Sequence, residues 1–419
     1  MKKLISLFLA LILVLSVTVS LAEPVSIDGL ASRKIKIHDA ELNPSADEMI
    51  AQNISPTTGR ELDTIDCPEG FVGTAATGVY QPIMVQISNA GGGVNVDSKG
   101  RPATAPVNGH YADVVYESCQ ANSANAGSLT RFSMVFSDTV PDYVGFVRST
   151  RATHPRIRQE WDCAFVTSGY SEADVPQEWR ELGVMNPQSA TKSNPGLIYV
   201  QNFPKVWAKY MFHCTNISDA NDHVYQLANI VQNIIPKDHV PANHTWKFTD
   251  ELPGGGDSGE IVYVTFGGGT KTDSRLEYNE DTNEYVRYVS VKGQDDVVFR
   301  SQVLVNPKIT AKMVNGAKLD MVDPDNRVFG EMITFTNVII QGIEMNWRGS
   351  ERPDPVLTGT GNADYFMGGR HYAGVWKRDN YNSRTVFYGE DGNEIELLRG
   401  KTLIVLMDYN SKGRSVQYE

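Results

Sequence analysis

Short apolar runs, each closed off by glycine, proline, asparagine or aspartate, recur along most of this chain and tie it to a fold built on β-strands. In the first half they are Ile83–Ile87, Ala112–Tyr116, Phe132–Phe136, Tyr143–Val147 and Cys163–Thr167. A helical period appears at two places. Thr153, with Pro155 in the first turn, predicts a helix running to about Trp161. Val224, Leu227, Ala228, Val231, Ile234 and Ile235 predict a second helix over Asp219–Ile235, stopped by Pro236. Pro253–Gly259, with Gly254-Gly255-Gly256 inside it, marks an internal boundary. Beyond it the runs alternate in strand fashion, and Gly368-Gly369 and Asp391-Gly392 predict hairpins. The pattern reads as an α+β protein, with a mixed α/β domain over 80–252 and a β-rich domain over 260–412. Residues 23–79 are rich in Pro, Ser, Thr, Asp and Gly with little periodicity, and read as an extended arm and linker with short ordered pieces.

Met1–Ala22 stands apart. Lys2-Lys3, a nearly unbroken apolar stretch and small residues ending at Ala22 form the pattern of a secretory signal peptide. A retained membrane anchor is the alternative, but the run has no basic charge on its far side, which favours cleavage. The expectation is a secreted, extracytoplasmic protein, associated with the cell envelope, with no membrane span after cleavage and no NAD- or ATP-type cofactor. No cysteine lies near Ala22 to carry a lipid. The formal net charge is −12, and loss of Lys2 and Lys3 with the leader takes it to −14. Such a surface repels nucleic acid, anionic lipid and anionic wall polymers, so an anionic ligand needs a local cluster of Arg or Lys. Cys67, Cys119, Cys163 and Cys214 allow three disulfide pairings, although Cys119 and Cys163 lie in strand-like runs and read equally well as small buried hydrophobes.

The densest polar cluster comes from three segments of the first domain. Alternation along a strand places Asp113, Val115 and Glu117 on one face. Arg131 opens the next strand, and Arg148-Ser149-Thr150-Arg151 joins a strand to the helix that follows. Two guanidinium forks, several hydroxyls and the unpaired N–H groups of a helix N-terminus suit a carboxylate or phosphate. In one reading Asp113, Glu117, Arg131, Arg148, Ser149 and Arg151 form a ligand site. In the other, Arg131, Arg148 and Arg151 pair with Glu117, Asp113 and Asp138 as structural salt bridges.

Other constellations are weaker. Asp113 and Glu117 would serve a glycan hydrolase only if a second acid faced them across a cleft. Thr167–Ser171 lacks the second glycine of a nucleophile elbow. His213, Cys214, Asp222, His223, His239 and His244 are loosely spaced and lack a matching Cys pair, so no metal site is expected. Gly91-Gly92-Gly93 is not followed by Lys-Ser/Thr and is no phosphate-binding P-loop. Trp376 reads as core, with sugar stacking as the sharper alternative.

Several blocks resemble the YerB-like lipoprotein family. They are Gln81–Asn89, Ala112–Glu117, Thr130–Phe132, Phe136–Asp138 and Val144–Arg151, the last close to V-G-P-V-R-S-A-R, with Gly359–Ala363, Gly374–Lys377 and Gly392–Gly400 in the second half. Phe146 stands where that pattern has proline, and the lipid-carrying cysteine is absent. The resemblance implies an extracytoplasmic protein, mainly of Gram-positive bacteria, with an N-terminal α/β domain, a C-terminal β-rich domain and no established reaction. The functional expectation is a binding protein for an anionic or peptide-like wall component, such as a peptidoglycan fragment. An envelope glycan or peptide hydrolase or transferase using Glu117 or Asp113 is the first alternative. A module that docks on another envelope protein is the second.

Overall fold

A computed structural model describes residues 23–39, 42–89, 93–120, 129–169, 178–179, 181–182, 197–199, 211–214, 223–267, 273–290, 296–305, 309–314, 317–322, 327–348 and 352–419. Met1–Ala22, Gly91-Gly92, Tyr170-Ser171 and Asp219–Asp222 lie outside the described residues.

Strand outweighs helix throughout. The first half supplies β1 (Ile83–Ser88), β2 (Val114–Cys119), β3 (Thr130–Phe136), β4 (Ala164–Thr167) and β5 (Leu197–Tyr199). The second half supplies β6 (Ile261–Thr265), β7 (Ser274–Asn279), β8 (Glu284–Val289), β9 (Asn337–Gly342), β10 (Gly359–Met367), β11 (Arg370–Arg378), β12 (Thr402–Met407) and β13 (Ser415–Tyr418). One large sheet runs β11-β10-β9-β12-β2-β3-β1-β4-β5 and crosses between the halves. At the crossing β12 lies parallel to β2, with Leu403 opposite Val115 and Val405 opposite Glu117. β13-β6-β7-β8 form a second, antiparallel sheet.

The large sheet is covered on both faces. Val85, Ile87, Val115, Phe132, Val338 and Val405 point to one side and meet Val262, Val264, Leu276 and Val289 of the second sheet. Their neighbours Met84, Val114, Val135, Ile339 and Ile404 point to the other, where Ile157, Trp161, Trp246 and Leu397 cover them. Strands buried on both faces read as continuous apolar runs, which is how these segments appear in the sequence.

The helix α2 (Thr153–Trp161) lies where Thr153 and Pro155 put it, although its N-cap is Ala152. The second predicted helix shrinks to α3 (Leu227–Asn233). His223–Tyr225 ahead of it is a strand, because Val144 and Gly145 pair with Tyr225 and Val224. The arm is also more built than its composition indicated. Ala46–Ala51 forms a helix, here α1, closed by a Ser45/Glu48 capping box. The loop Ser55–Gly59 is buried, and Arg33 clamps the arm to Asp364 at 2.7 Å. A Cβ at Gly361 would lie 2.5 Å from Nε1 of Trp376, so only glycine lets that buried indole reach the Gly342 carbonyl at 2.8 Å. No disulfide joins any two of Cys67, Cys119 and Cys163. Among the described residues no helix is long and apolar enough to cross a membrane.

Glu117 of β2 and Arg287 of β8 join the two sheets, with both side chains fully buried and 3.2 Å apart. Arg287 also lies against the rings of Phe132 and Phe299. Removing one partner leaves an uncompensated charge in the core. Glu117→Ala is therefore expected to cost about 3–5 kcal/mol, read from the denaturant midpoint, whereas Glu117→Leu/Arg287→Met recovers most of that loss.

His110 shares a 2.8 Å hydrogen bond with Ser301, and burial together with Lys401 pushes its imidazole down to about 4. The unfolded chain takes up this proton near pH 6.5, so the stability contributed by neutral His110 is complete above 6.5 and lost as pH falls toward 4. Wild type should lose about 3 kcal/mol relative to His110→Gln between pH 7 and 4, measured by parallel denaturant titrations.

Candidate functional site

The structure divides the six candidate residues among three places. Glu117 faces the inter-sheet core, where Oε1 accepts hydrogen bonds from Asn89 at 3.0 Å and Thr130 at 2.7 Å beside the Arg287 pair. Burial raises its carboxyl above the usual range, and Arg287 opposes that shift. Asp113 sits at the start of β2 and accepts the backbone N–H groups of Ser137 and Asp138 at 2.7 and 2.9 Å. Asp138 in turn accepts from Ser55 and Thr58, both at 2.6 Å, which holds the buried loop of the arm. Burial and the neighbouring Asp138 push Asp113 well up. Both candidate acids are thus structural, and neither shares a site with the arginine loop.

The reason is parity. Glu117 lies opposite Phe132, so the adjacent Arg131 emerges on the other face of the sheet. It sits mid-sheet, flanked by Ser118 on β2 and Ser88 on β1. There it meets the loop that contains Ser149. Its Nη1 donates to the Ser149 carbonyl and approaches Ser149 Oγ at 3.4 Å. Arg151 donates to the same Oγ at 3.3 Å and to the Thr150 carbonyl at 3.0 Å.

The loop is held from below. Beyond Val85 the place of β4 beside β1 is taken by Phe146–Arg148, through hydrogen bonds from Ser88 N–H to Phe146 and from Arg148 N–H to Gln86. Ser168 and Thr150 N–H groups then tie it to the end of β4. The cluster therefore stands at the carboxyl ends of the parallel strands β1 and β4, the usual ligand side of such a sheet.

Arg131 is 9% exposed. Burial holds its guanidinium well below the ordinary range, and the positive charges of Arg151 and Arg148 lower it further. Among the described residues no carboxylate pairs with it. The salt-bridge reading of Arg131 with Glu117, Asp113 or Asp138 is therefore corrected by the geometry.

His154, in the first turn of α2, completes the cluster. Its Nδ1 accepts the Arg151 N–H at 2.9 Å, which places the ring proton on Nε2. Burial, with Arg131 and Arg151, keeps the ring neutral by holding its pKa far below the ordinary value. Among the described residues, Nε2 is buried without a hydrogen-bond partner, as are Gln86 Nε2 on the same sheet face and Thr153 Oγ1. Sequence reading passed over His154 because a lone histidine has no spacing to flag it. Gln86 hid inside an apolar run.

The remaining candidates have structural partners. His244 stacks on Trp161 and bonds Glu160 at 2.8 Å, and His239 bonds the Asp162 carbonyl at 2.8 Å. The side chains of His213 and Cys214 lie outside the described residues. Among the described residues no group of His, Cys, Asp and Glu is arranged to hold a metal ion. A groove of about 960 Å³ lies elsewhere, between Gly254–Asp257 and Gly389–Glu396, and carries Asp39, Glu251, Asp257, Glu390 and Glu396. Its charge is wrong for an anion.

No curated protein sequence matches the chain. The crystal structure of the YerB protein from Bacillus subtilis is similar, with a TM-score of 0.54 and 18% identity, over 87% of this chain and 99% of that one. Residues 77–223 match the N-terminal domain, and residues 262–404 the C-terminal domain, of the protein of unknown function DUF3048. With both domains present in order on a fold shared with YerB, the chain belongs to the YerB-like DUF3048 family.

Proposed function

We propose that this is an extracytoplasmic binding protein that holds an anionic component of the cell envelope at Arg131, Arg148, Ser149, Arg151 and His154. One observation carries the reading: Arg131 is a buried cation whose charged neighbours among the described residues are themselves cations. Burying an unpaired charge is costly, and folds retain such groups chiefly where a ligand supplies the counter-charge. The Met1–Ala22 leader pattern supports an extracytoplasmic location.

A hydrolase built on Glu117 or Asp113 loses its support. Glu117 is sealed against Arg287, and Asp113 is engaged by two backbone amides, so neither can reach a substrate proton.

The test compares stability with binding. Arg131→Met keeps the length and packing of the side chain and removes the charge. It should fold, stabilise the unliganded protein by about 1 kcal/mol or more, and abolish binding of soluble anionic peptidoglycan fragments in titration calorimetry. Loss of stability in Arg131→Met would mean that the charge braces the fold. Absence of binding by wild type to any anionic fragment would overturn the proposal.

A further inference from the structure

The donors around Arg131 differ in number and direction from what one carboxylate needs. They come from four segments: Arg131 from β3, Arg148 and Arg151 from the loop, His154 from the first turn of α2, and Gln86 from β1. A carboxylate offers two oxygens with lone pairs in one plane and a single negative charge. A phosphoryl group offers three terminal oxygens in a pyramid and, as a monoester, a charge near −2 at neutral pH.

Two further observations point the same way. Gln86 Nε2 and His154 Nε2 are buried donors without acceptors, although both side chains are otherwise engaged: Gln86 Oε1 accepts from Ser133 at 2.9 Å, and His154 Nδ1 from Arg151. A buried donor left without an acceptor is costly unless something fills it. The nine-residue helix α2 starts beside them with no side-chain cap from Ala152, and Thr153 Oγ1 is also unpartnered. An oxyanion at that terminus would accept from the unpartnered donors and meet the positive end of the helix dipole.

From this geometry we infer that the site takes a phosphoryl group, carried by a phosphate monoester or by free phosphate, in preference to a carboxylate. The inference rests on the anion-binding reading of the same cluster and narrows it. The neutral His154 supplies a donor without adding charge, while the arginines supply the charge. Arg131, 9% exposed, lies less deep than His154 and Gln86, which are fully buried, so an anion that reaches their free donors also meets the Arg131 charge.

Titration calorimetry of the protein in buffer free of phosphate and sulfate tests this. The probes are inorganic phosphate, a hexose phosphate monoester, acetate and N-acetyl-D-alanine. At least one phosphoryl probe is expected to bind about tenfold or more tightly than either carboxylate. Arg131→Met should abolish that binding, and Arg151→Gln, at a partly exposed position, should weaken it about tenfold with unchanged melting. Binding of inorganic phosphate without the monoester identifies free phosphate as the ligand form, and the converse identifies the ester; either supports the inference. Carboxylates that bind as tightly as phosphate, or phosphate binding unaffected in both variants, overturn it and leave the broader anion question to the peptidoglycan fragments. No binding of any probe or fragment by wild type removes both readings.

Discussion

The Glu117–Arg287 pair ties the two sheets of this protein together and decides where its other charges go. Two sheets facing each other across an apolar core slide easily, since dispersion and the hydrophobic effect have little direction. A buried carboxylate with fixed donors from Asn89, Thr130 and Arg287 has direction, and it sets one alignment of β2 against β8. Its net contribution to stability is small, because desolvating both ions offsets their attraction. What it contributes is a heavy penalty for any arrangement that separates them. Since the carboxylate is committed to this face, it is withheld from Arg131 on the other.

The seam between the halves has a similar non-local character. β12 pairs with β2 in parallel, although about two-thirds of the chain lies between them. Until this pairing forms, Val115 and Leu403 each belong to an open sheet edge. The closure entropy of so long a loop is met only when both halves are in place. The two matched family domains therefore share one folded sheet, and the Pro253–Gly259 segment bends the chain back along it, with Asp257 and Ser258 pairing onto β11.

Much of the fold was legible because local rules dominate it. The runs at 83–87, 112–116, 132–136 and 163–167 are apolar because they are buried on both faces, and that signal survives without tertiary knowledge. α2 was legible from Thr153 and Pro155 alone. The Asp219–Ile235 helix failed at its start because Val224 and Tyr225 fit either period, and pairing with Val144 and Gly145 made them a strand. The candidate site was legible only in part. Alternation placed Val115 and Glu117 on one face, as the inter-sheet core shows, but which face Arg131 shares depends on the register of β2 with β3. That register follows from Glu117 standing opposite Phe132. Ser55–Gly59 looked like linker because serine, threonine and glycine are common in linkers. Its hydroxyls are in fact donors to a buried carboxylate. Composition cannot separate those two uses.

Arg131 and Arg287 are the same residue type at similar depth, and the contrast between them is what separates architecture from function here. Arg287 has an acid at 3.2 Å and two aromatic rings, so its charge is answered within the fold. Arg131 has carbonyl and hydroxyl oxygens of Ser149 and two positive neighbours, so among the described residues its charge is not. A methionine would fill the second position at less cost. Stability alone gives such a group little support, because well-packed apolar replacements of buried charge are often neutral or stabilising. Persistence of an unanswered charge beside His154 and Gln86, each with a donor left over, makes sense when the missing partner comes from outside the chain. The formal net charge of −12 sharpens the point: on a chain that repels anions on average, the proposed binding requires a local gathering of arginines such as this one.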